Sequence, residues 1–149
     1  MDIIKDHAGK LDGLAQLKHL LDIGSRPPIA ETLGFTLVEI EAGFAAFEGE
    51  PGLSVYNPIG SVHGGYAATL LDSACGCAVH SRLTATQAYT TLELKVSYHR
   101  ALNAQSGRVR AEGRLLSFGR RTAFAEAKLL DAQGRLCASA TSTLLVMDL

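Results

Sequence analysis

The sequence predicts an α+β fold in which a curved antiparallel sheet of about six strands wraps around one long central helix. A shorter helix is predicted near the N-terminus. Three observations support this fold. Residues 64–83 form an apolar run with the length of a helix and a single acid. Two strand-like segments precede this run, and four follow it with short turns between them. Short turns join antiparallel strands, and a helix that is apolar nearly all round must be covered by other elements.

The first predicted helix is Lys10–Ile23. Its leucines recur every three or four residues, which is the spacing of an amphipathic helix. They are Leu11, Leu14, Leu17, Leu20 and Leu21. Gly24, followed by prolines at 27 and 28, predicts the end of this helix. We expect it to act as a lid or a brace within a lead-in of residues 1–30, ahead of the main domain of residues 31–149.

Two strands and a turn are predicted before the central helix. The strands are Leu33–Glu41 and Phe44–Glu50, with Ala42 and Gly43 between them. The segment Asn57-Pro58-Ile59-Gly60 has the composition of a turn or loop.

The central helix is predicted over Gly64–Leu83, a length of about 30 Å. Asp72 is the only Asp or Glu between Glu50 and Glu93. The one formally charged neighbour in that interval is Arg82, ten residues further along the helix. An acid this isolated in an apolar helix requires a specific explanation.

Four strands are predicted after the helix. They are Thr91–Arg100, Arg108–Leu116, Thr122–Leu130 and Arg135–Met147. In the first of them, Leu92, Leu94, Val96 and Tyr98 alternate with polar residues. This alternation predicts that these four side chains share the buried face and that Thr91 lies on the opposite face. Residues 117–119 and 131–134 are predicted hairpin turns.

Composition excludes several classes of function. The chain has 149 residues, 47% of them hydrophobic, and a formal charge of −1, which suits one domain with its own core. Its scattered Lys and Arg residues form no basic stripe, so no nucleic-acid partner is expected. No apolar run reaches the roughly 18 residues of a membrane span, and the N-terminus is too polar for a signal peptide. We therefore expect a cytoplasmic protein without a membrane partner.

The chain resembles the hotdog-fold acyl-CoA thioesterases of the phenylacetic acid degradation (PaaI) type. The matching residues are Asn57, His63-Gly64-Gly65, Asp72, the strand TTLELKVSYHRAL and the hairpin GRRTAFAEAKLLDAQGRLCASATSTLL. The resemblance implies a hotdog thioesterase domain over residues 31–149 that hydrolyses an acyl-CoA, with an aryl or medium-chain acyl group, to a carboxylic acid and free coenzyme A. It further implies a homodimer, with two dimers pairing into a homotetramer, and no cofactor, since coenzyme A is part of the substrate.

The resemblance also implies four catalytic residues. Asp72 would be the nucleophile or the general base, and the backbone N–H of Gly64 would polarise the thioester carbonyl. Asn57 would help to hold the thioester or the attacking water. His63 would shape the turn and the helix start without transferring protons.

Five residues are expected to bind substrate. Gly65 completes the tripeptide at the helix start, and either Thr90 or Thr91 would supply a hydroxyl that positions water. Arg120 and Arg121 lie in a hairpin near which the resemblance places the nucleotide. Arg pairs bidentately with phosphate, of which coenzyme A carries several. The alternative for this hairpin is a solvated cationic turn.

The residue chemistry supports the same site. The first N–H groups of a helix have no partner within it and lie at the positive end of its dipole, where they can stabilise an oxyanion. Glycine at position 64 lets a substrate approach closely. The alternatives are that the glycines only form a sharp turn and that Asp72 only bonds to Thr69 or Ser73. The histidines have no ligand-like spacing, so no metal site is expected.

Two other functions are compatible with the fold. A hydratase or dehydratase would use an acid paired with a histidine, and the only histidine near the acid in this motif precedes Gly64. A non-catalytic acyl-CoA-binding module would not require Asp72. We therefore favour hydrolysis.

Helix geometry predicts a site shared between subunits. Gly64 and Asp72 are eight residues apart, which is about 12 Å along one helix. Both groups must lie within about 3 Å of one reacting carbonyl. We expect two antiparallel helices, related by a two-fold axis, to bring Gly64 of one chain to Asp72 of the other.

Overall fold

The computed structural model describes residues 2–149 and confirms the predicted fold. One six-stranded antiparallel sheet curves around a long helix, with three short helices ahead of it. The helices are α1 (Ile3–His7), α2 (Gly13–Asp22), α3 (Pro28–Leu33) and α4 (Gly64–His80). The strands are β1 (Phe35–Glu41), β2 (Phe44–Gly49), β3 (Gln87–Tyr98), β4 (Val109–Phe118), β5 (Thr122–Leu130) and β6 (Leu136–Asp148).

The strands lie in the order β1-β2-β4-β5-β6-β3, so β1 and β3 form the two edges of the sheet. The chain enters β3 directly from α4, yet β3 pairs with the last strand, β6. The part of the chain described here contains no helix that is both long and apolar enough to span a membrane.

Helix α4 is packed tightly onto the sheet. Leu70, Leu71 and Ala74 are fully buried. A Cβ atom on Gly113 of β4 would lie 2.2 Å from the carbonyl oxygen of Ala74, so only glycine allows this approach of helix and strand. The helix ends at His80, three residues before the predicted end, and the N–H of Ser81 caps the carbonyl of Cys77.

The N-terminal segment braces α4. Leu17 of α2 is buried, and Gln16 Oε1 lies 2.9 Å from Nε2 of the buried His80.

Helices α1 and α3 were not predicted. Pro28, one of the two prolines expected only to follow the helix, instead occupies the first position of α3, where its missing N–H costs no hydrogen bond. The division of the chain at residues 30 and 31 stays a prediction.

The predicted facing of β3 is wrong at its start. Its register with β6 shifts between Thr91 and Glu93, which marks a β-bulge. An extra residue in one strand reverses the alternation of the side chains. As a result, Thr91 faces α4, whereas Leu92 points outward and is 57% exposed.

Candidate active site

Asp72 lies half-buried on α4 and has one hydrogen-bond partner in the described chain. Thr91 Oγ1 donates to Asp72 Oδ1 over 3.0 Å. The bulge in β3 makes this contact possible because it turns Thr91 towards the helix. Thr90 is exposed and pairs with Leu145 of β6, so the structure brings Thr91, and not Thr90, to the acid.

Within residues 2–149, Asp72 forms neither an ion pair nor a hydrogen bond to Thr69 or Ser73, the interactions that would give it a purely structural role. No Lys, Arg or His forms an ion pair with its carboxylate. Thr69 Oγ1 donates to the Gly65 carbonyl instead, at 2.8 Å, and Ser73 has no hydrogen bond to the acid. The second carboxylate oxygen, Oδ2, has no hydrogen bond in this part of the chain. It is available to a substrate or to water.

The first turn of α4 leaves one N–H group free. His63 is the N-cap residue: its Nδ1 accepts a hydrogen bond from the Gly65 N–H at 2.8 Å, and its carbonyl accepts one from the Tyr66 N–H at 2.9 Å. The N–H of Gly64 has no acceptor in the described residues. His63 therefore shapes the helix start, and Gly64 offers the donor that an oxyanion would need.

The side chain of Asn57 holds its own loop together. Its Oδ1 accepts hydrogen bonds from the N–H groups of Ile59 and Ser61, both at 3.1 Å, and its Nδ2 donates to Ser61 Oγ at 3.0 Å. A bridge between Tyr56 and Val62 closes the loop just ahead of the helix. In this chain Asn57 fixes the approach to His63.

Tyr98, which was not predicted as a site residue, contacts the helix start. Its hydroxyl donates to the carbonyl of Gly64 over 2.7 Å. Sequence reasoning placed Tyr98 on the helix side of β3 but gave no reason to connect it with Gly64, 34 residues earlier. The strand alternation was the only available signal.

Within one chain, the candidate site residues therefore form two separate groups, which we name the acid half and the donor half. The acid half is Asp72 with Thr91, and the donor half is His63, Gly64 and Tyr98. The eight residues between Gly64 and Asp72 separate the halves by about 12 Å along α4. The two halves cannot act on one carbonyl group within a single chain.

A cavity of about 350 Å³ adjoins the donor half. Gly64, Ala67, Leu102 and Cys137 give it apolar walls, and Tyr98 and Arg100 add polar atoms. Such a mixture suits an organic acyl group with a polar end.

The cysteines close to Asp72 are poor nucleophiles. Burial, together with the charge of Asp72, raises the pKa of the Cys75 and Cys77 thiols to about 12. A thiol with such a pKa is protonated at neutral pH and does not attack a thioester. In the described chain, no three His, Cys, Asp or Glu side chains are grouped as metal ligands.

Arg120 and Arg121 lie exposed on the β4–β5 hairpin and make no ion pair within the described chain. They line a second cavity, of about 360 Å³. Thr122 pairs with Leu145, which in turn pairs with Thr90. The hairpin therefore lies at the same end of the sheet as the acid half, two strand spacings or about 10 Å from β3.

Comparisons with known proteins identify the family. Residues 59–138 match the thioesterase superfamily. A proofreading thioesterase, EntH of Klebsiella pneumoniae, is 30% identical over 117 residues, which cover 78% of this chain and 84% of the relative. A 1,4-dihydroxy-2-naphthoyl-CoA hydrolase of Listeria monocytogenes is 25% identical over 118 residues, covering 79% and 94%.

Solved structures give the same result. A mutant of the phenylacetic acid degradation protein PaaI from Thermus thermophilus superimposes with a TM-score of 0.73 at 30% identity, covering 80% of this chain and 98% of that one. A thioesterase-like, phenylacetic acid degradation-related protein of Ralstonia eutropha gives 0.76 at 28% identity, covering 86% and 97%.

Proposed function

This chain belongs to the thioesterase superfamily as a hotdog-fold enzyme of the PaaI type that hydrolyses acyl-CoA thioesters, and we propose that Asp72 and the Gly64 N–H perform the reaction. One observation carries this assignment. The half-buried carboxylate of Asp72 has a hydroxyl on one oxygen, no cation beside it in residues 2–149, and its other oxygen free.

The reaction needs an attacking group and a stabiliser for the oxyanion. Asp72 attacks the carbonyl carbon directly as a nucleophile, or removes a proton from an attacking water as a general base. The carbonyl oxygen gains negative charge and accepts a hydrogen bond from the Gly64 N–H at the positive end of α4. The C–S bond then breaks, and coenzyme A leaves as the thiolate. In the general-base route this step releases the carboxylic acid directly. In the nucleophile route it leaves an acyl–Asp72 anhydride, which water hydrolyses to the carboxylic acid and the free Asp72 carboxylate.

We propose that two chains supply each site. Strand β3 has twelve residues and forms an edge of the sheet, so its outer backbone groups are free to pair with a second copy. Antiparallel pairing of two β3 strands brings the Tyr98 end of one strand towards the Thr91 end of the other. The donor half of each subunit then faces the acid half of its partner. Two such dimers would form the tetramer that the PaaI type implies.

The substrate is proposed to be an aryl or medium-chain acyl-CoA. Two relatives are named for aromatic chemistry, and the cavity beside Gly64 is large enough for a ring. Arg120 and Arg121 would hold the phosphates of coenzyme A, since both are exposed and unpaired in the described chain and lie at the acid end of the sheet. No separate cofactor is proposed.

The direct test is Asp72→Asn, which keeps the shape of the side chain and removes its charge. We expect the rate of thiol release from a panel of aryl, short, medium and long acyl-CoA substrates to fall about 10²- to 10⁴-fold. The melting temperature should stay unchanged. Ser73→Ala is the matched control, because Ser73 makes no bond to the acid, and it should stay within about twofold of wild type. Near-normal turnover by folded Asp72→Asn protein would exclude this mechanism.

A further inference from the structure

We propose that Tyr98 is a positioning residue for the oxyanion donor. Its hydroxyl and the His63 imidazole hold one peptide unit of α4 from opposite ends, which fixes the direction of the Gly64 N–H. This inference rests on the role of Gly64 proposed above.

The two contacts act on the same peptide. The Gly64 carbonyl accepts from Tyr98 Oη at 2.7 Å, and the Gly65 N–H donates to His63 Nδ1 at 2.8 Å. A carbonyl and the N–H of the next residue belong to one planar unit. The Gly64–Gly65 peptide is therefore fixed at both its oxygen and its nitrogen.

The preceding peptide is fixed at its oxygen only. The His63 carbonyl accepts from the Tyr66 N–H at 2.9 Å, whereas the N–H at the other end of this unit, that of Gly64, has no acceptor in the described chain. Gly64 joins the two peptides through its Cα. Three of the four carbonyl and N–H groups of these two peptides are therefore hydrogen-bonded. The remaining N–H, that of Gly64, has a defined direction before substrate arrives, as an oxyanion donor requires.

The position of Tyr98 depends on the glycine. A Cβ on residue 64 would lie 3.0 Å from Tyr98 Oη and 3.1 Å from Cζ. Glycine at this position therefore admits the tyrosine ring as well as a substrate. Tyr98 is 57% exposed in the single chain, so burial within its own subunit does not force the hydroxyl to bond to the helix.

Tyr98 also lines the 350 Å³ cavity beside Gly64, so an acyl group bound there would lie next to the ring. Its hydroxyl proton already forms the hydrogen bond to the Gly64 carbonyl and is not free to bond to substrate. Tyr98 therefore acts through the backbone, and its loss should affect the reaction more than substrate binding.

The first test is the kinetics of Tyr98→Phe, which removes only the hydroxyl. We expect kcat to fall about tenfold while KM for acyl-CoA changes less than about twofold, since the donor acts mainly in the transition state. Tyr56→Phe is the matched control. It removes another tyrosine hydroxyl, one that accepts from the Ala104 N–H at 2.7 Å, away from the helix backbone. This control should leave kcat unchanged.

The second test measures the donor itself. Carbonyl-labelled ¹³C benzoyl-CoA bound to Asp72→Asn protein should show a C=O stretch lowered by the Gly64 hydrogen bond in difference infrared spectra. Adding Tyr98→Phe should move the band back towards its frequency in free benzoyl-CoA, and Tyr56→Phe should not.

If Tyr98→Phe disturbs assembly, substitutions of His63, which accepts from the N–H at the other end of the same peptide, provide an equivalent test. His63→Ala should weaken the shift and His63→Asn, which can still cap the helix, should retain it.

The outcomes separate this inference from the proposed function. An unshifted band with Tyr98 present would contradict the role of Gly64. A band that is shifted in the Asp72→Asn protein and unchanged by both Tyr98→Phe and His63→Ala would overturn the positioning role alone.

Discussion

At the scale of single residues, the surroundings of an ionisable group determine its role. Asp72 receives a hydroxyl from Thr91 and has no cation beside it in residues 2–149, so its charge is free to act on a substrate. His80, two turns further along α4, is buried against Gln16, with its ring edge-on to Tyr89. The Gln16 amide nitrogen donates to the Leu11 carbonyl, so the amide oxygen is the group that accepts a hydrogen bond from Nε2–H of His80.

His80 should make the free energy of unfolding depend on pH. Burial lowers the pKa of His80 from 6.5 to about 4. Between these values the unfolded chain binds a proton that the folded chain excludes, so stability should decrease as pH falls from about 6.5 to about 4. The decrease from this residue is at most about 1.4 kcal/mol per pH unit.

Urea unfolding at several pH values from 7.5 to 4 measures this dependence. His80→Gln, which cannot titrate, should flatten the curve in that window. His19→Gln, at an exposed histidine of α2, should leave the curve as in wild type. Equal slopes for wild type and His80→Gln would contradict the prediction.

At the scale of elements, the β4–β5 hairpin is the part of the sheet best placed to recognise the nucleotide. It lies beside the C-terminal end of β6, at the end of the sheet where Thr91 meets Asp72, and it carries two exposed arginines without ion pairs in the described chain. Its role would be to hold the substrate, separate from the chemistry on α4.

Replacing both Arg120 and Arg121 with Ala should raise KM for acyl-CoA and weaken the dependence of KM on salt, because phosphate contacts are screened by ions. A short thioester without the nucleotide should be hydrolysed as by wild type. Lys10→Ala with Lys18→Ala removes the same charge from an exposed surface elsewhere and is the control. An equal loss on both substrates would indicate a damaged fold instead of a lost phosphate site.

At the scale of the whole molecule, the proposed sharing of the site between two subunits predicts that activity requires the dimer. Asp72→Asn should inactivate the acid half. Gly64→Pro should inactivate the donor half, since proline has no N–H and is tolerated at the first position of a helix, although its ring must displace Tyr98 slightly. In a mixed dimer, one site carries both changes and the other carries neither.

Mixing the two inactive proteins and allowing subunit exchange should restore about a quarter of wild-type activity, because about half of the dimers are mixed and half of their sites are intact. A mixture of Asp72→Asn with Asp72→Ala is the control and should remain inactive. Recovery of no activity, with mixed dimers demonstrated by mass spectrometry, would show that each site is built from one chain.

The sequence by itself determined the elements, because their periodicity is local. Strand β5 spans Thr122–Leu130 as predicted, and α4 begins at Gly64, where the apolar run follows a turn. Asp72, the tripeptide at the start of the helix and the strand pattern that follows also identified the family. The two short helices α1 and α3 were missed because five or six residues carry too little periodic signal.

Only the tertiary structure decided which side chains meet. The Thr91–Asp72, Tyr98–Gly64 and His80–Gln16 contacts join residues 19, 34 and 64 positions apart. Each depends on β3 crossing to the edge beside β6 or on α2 folding back onto α4. The bulge at Leu92 was likewise set by pairing with β6, and no local pattern encodes which residue a strand omits from its ladder. The sequence pattern therefore predicted that the Thr91 side chain points away from the helix, whereas in the fold it faces Asp72. The face on which a strand side chain lies depends on how the strand pairs with its neighbours in the sheet.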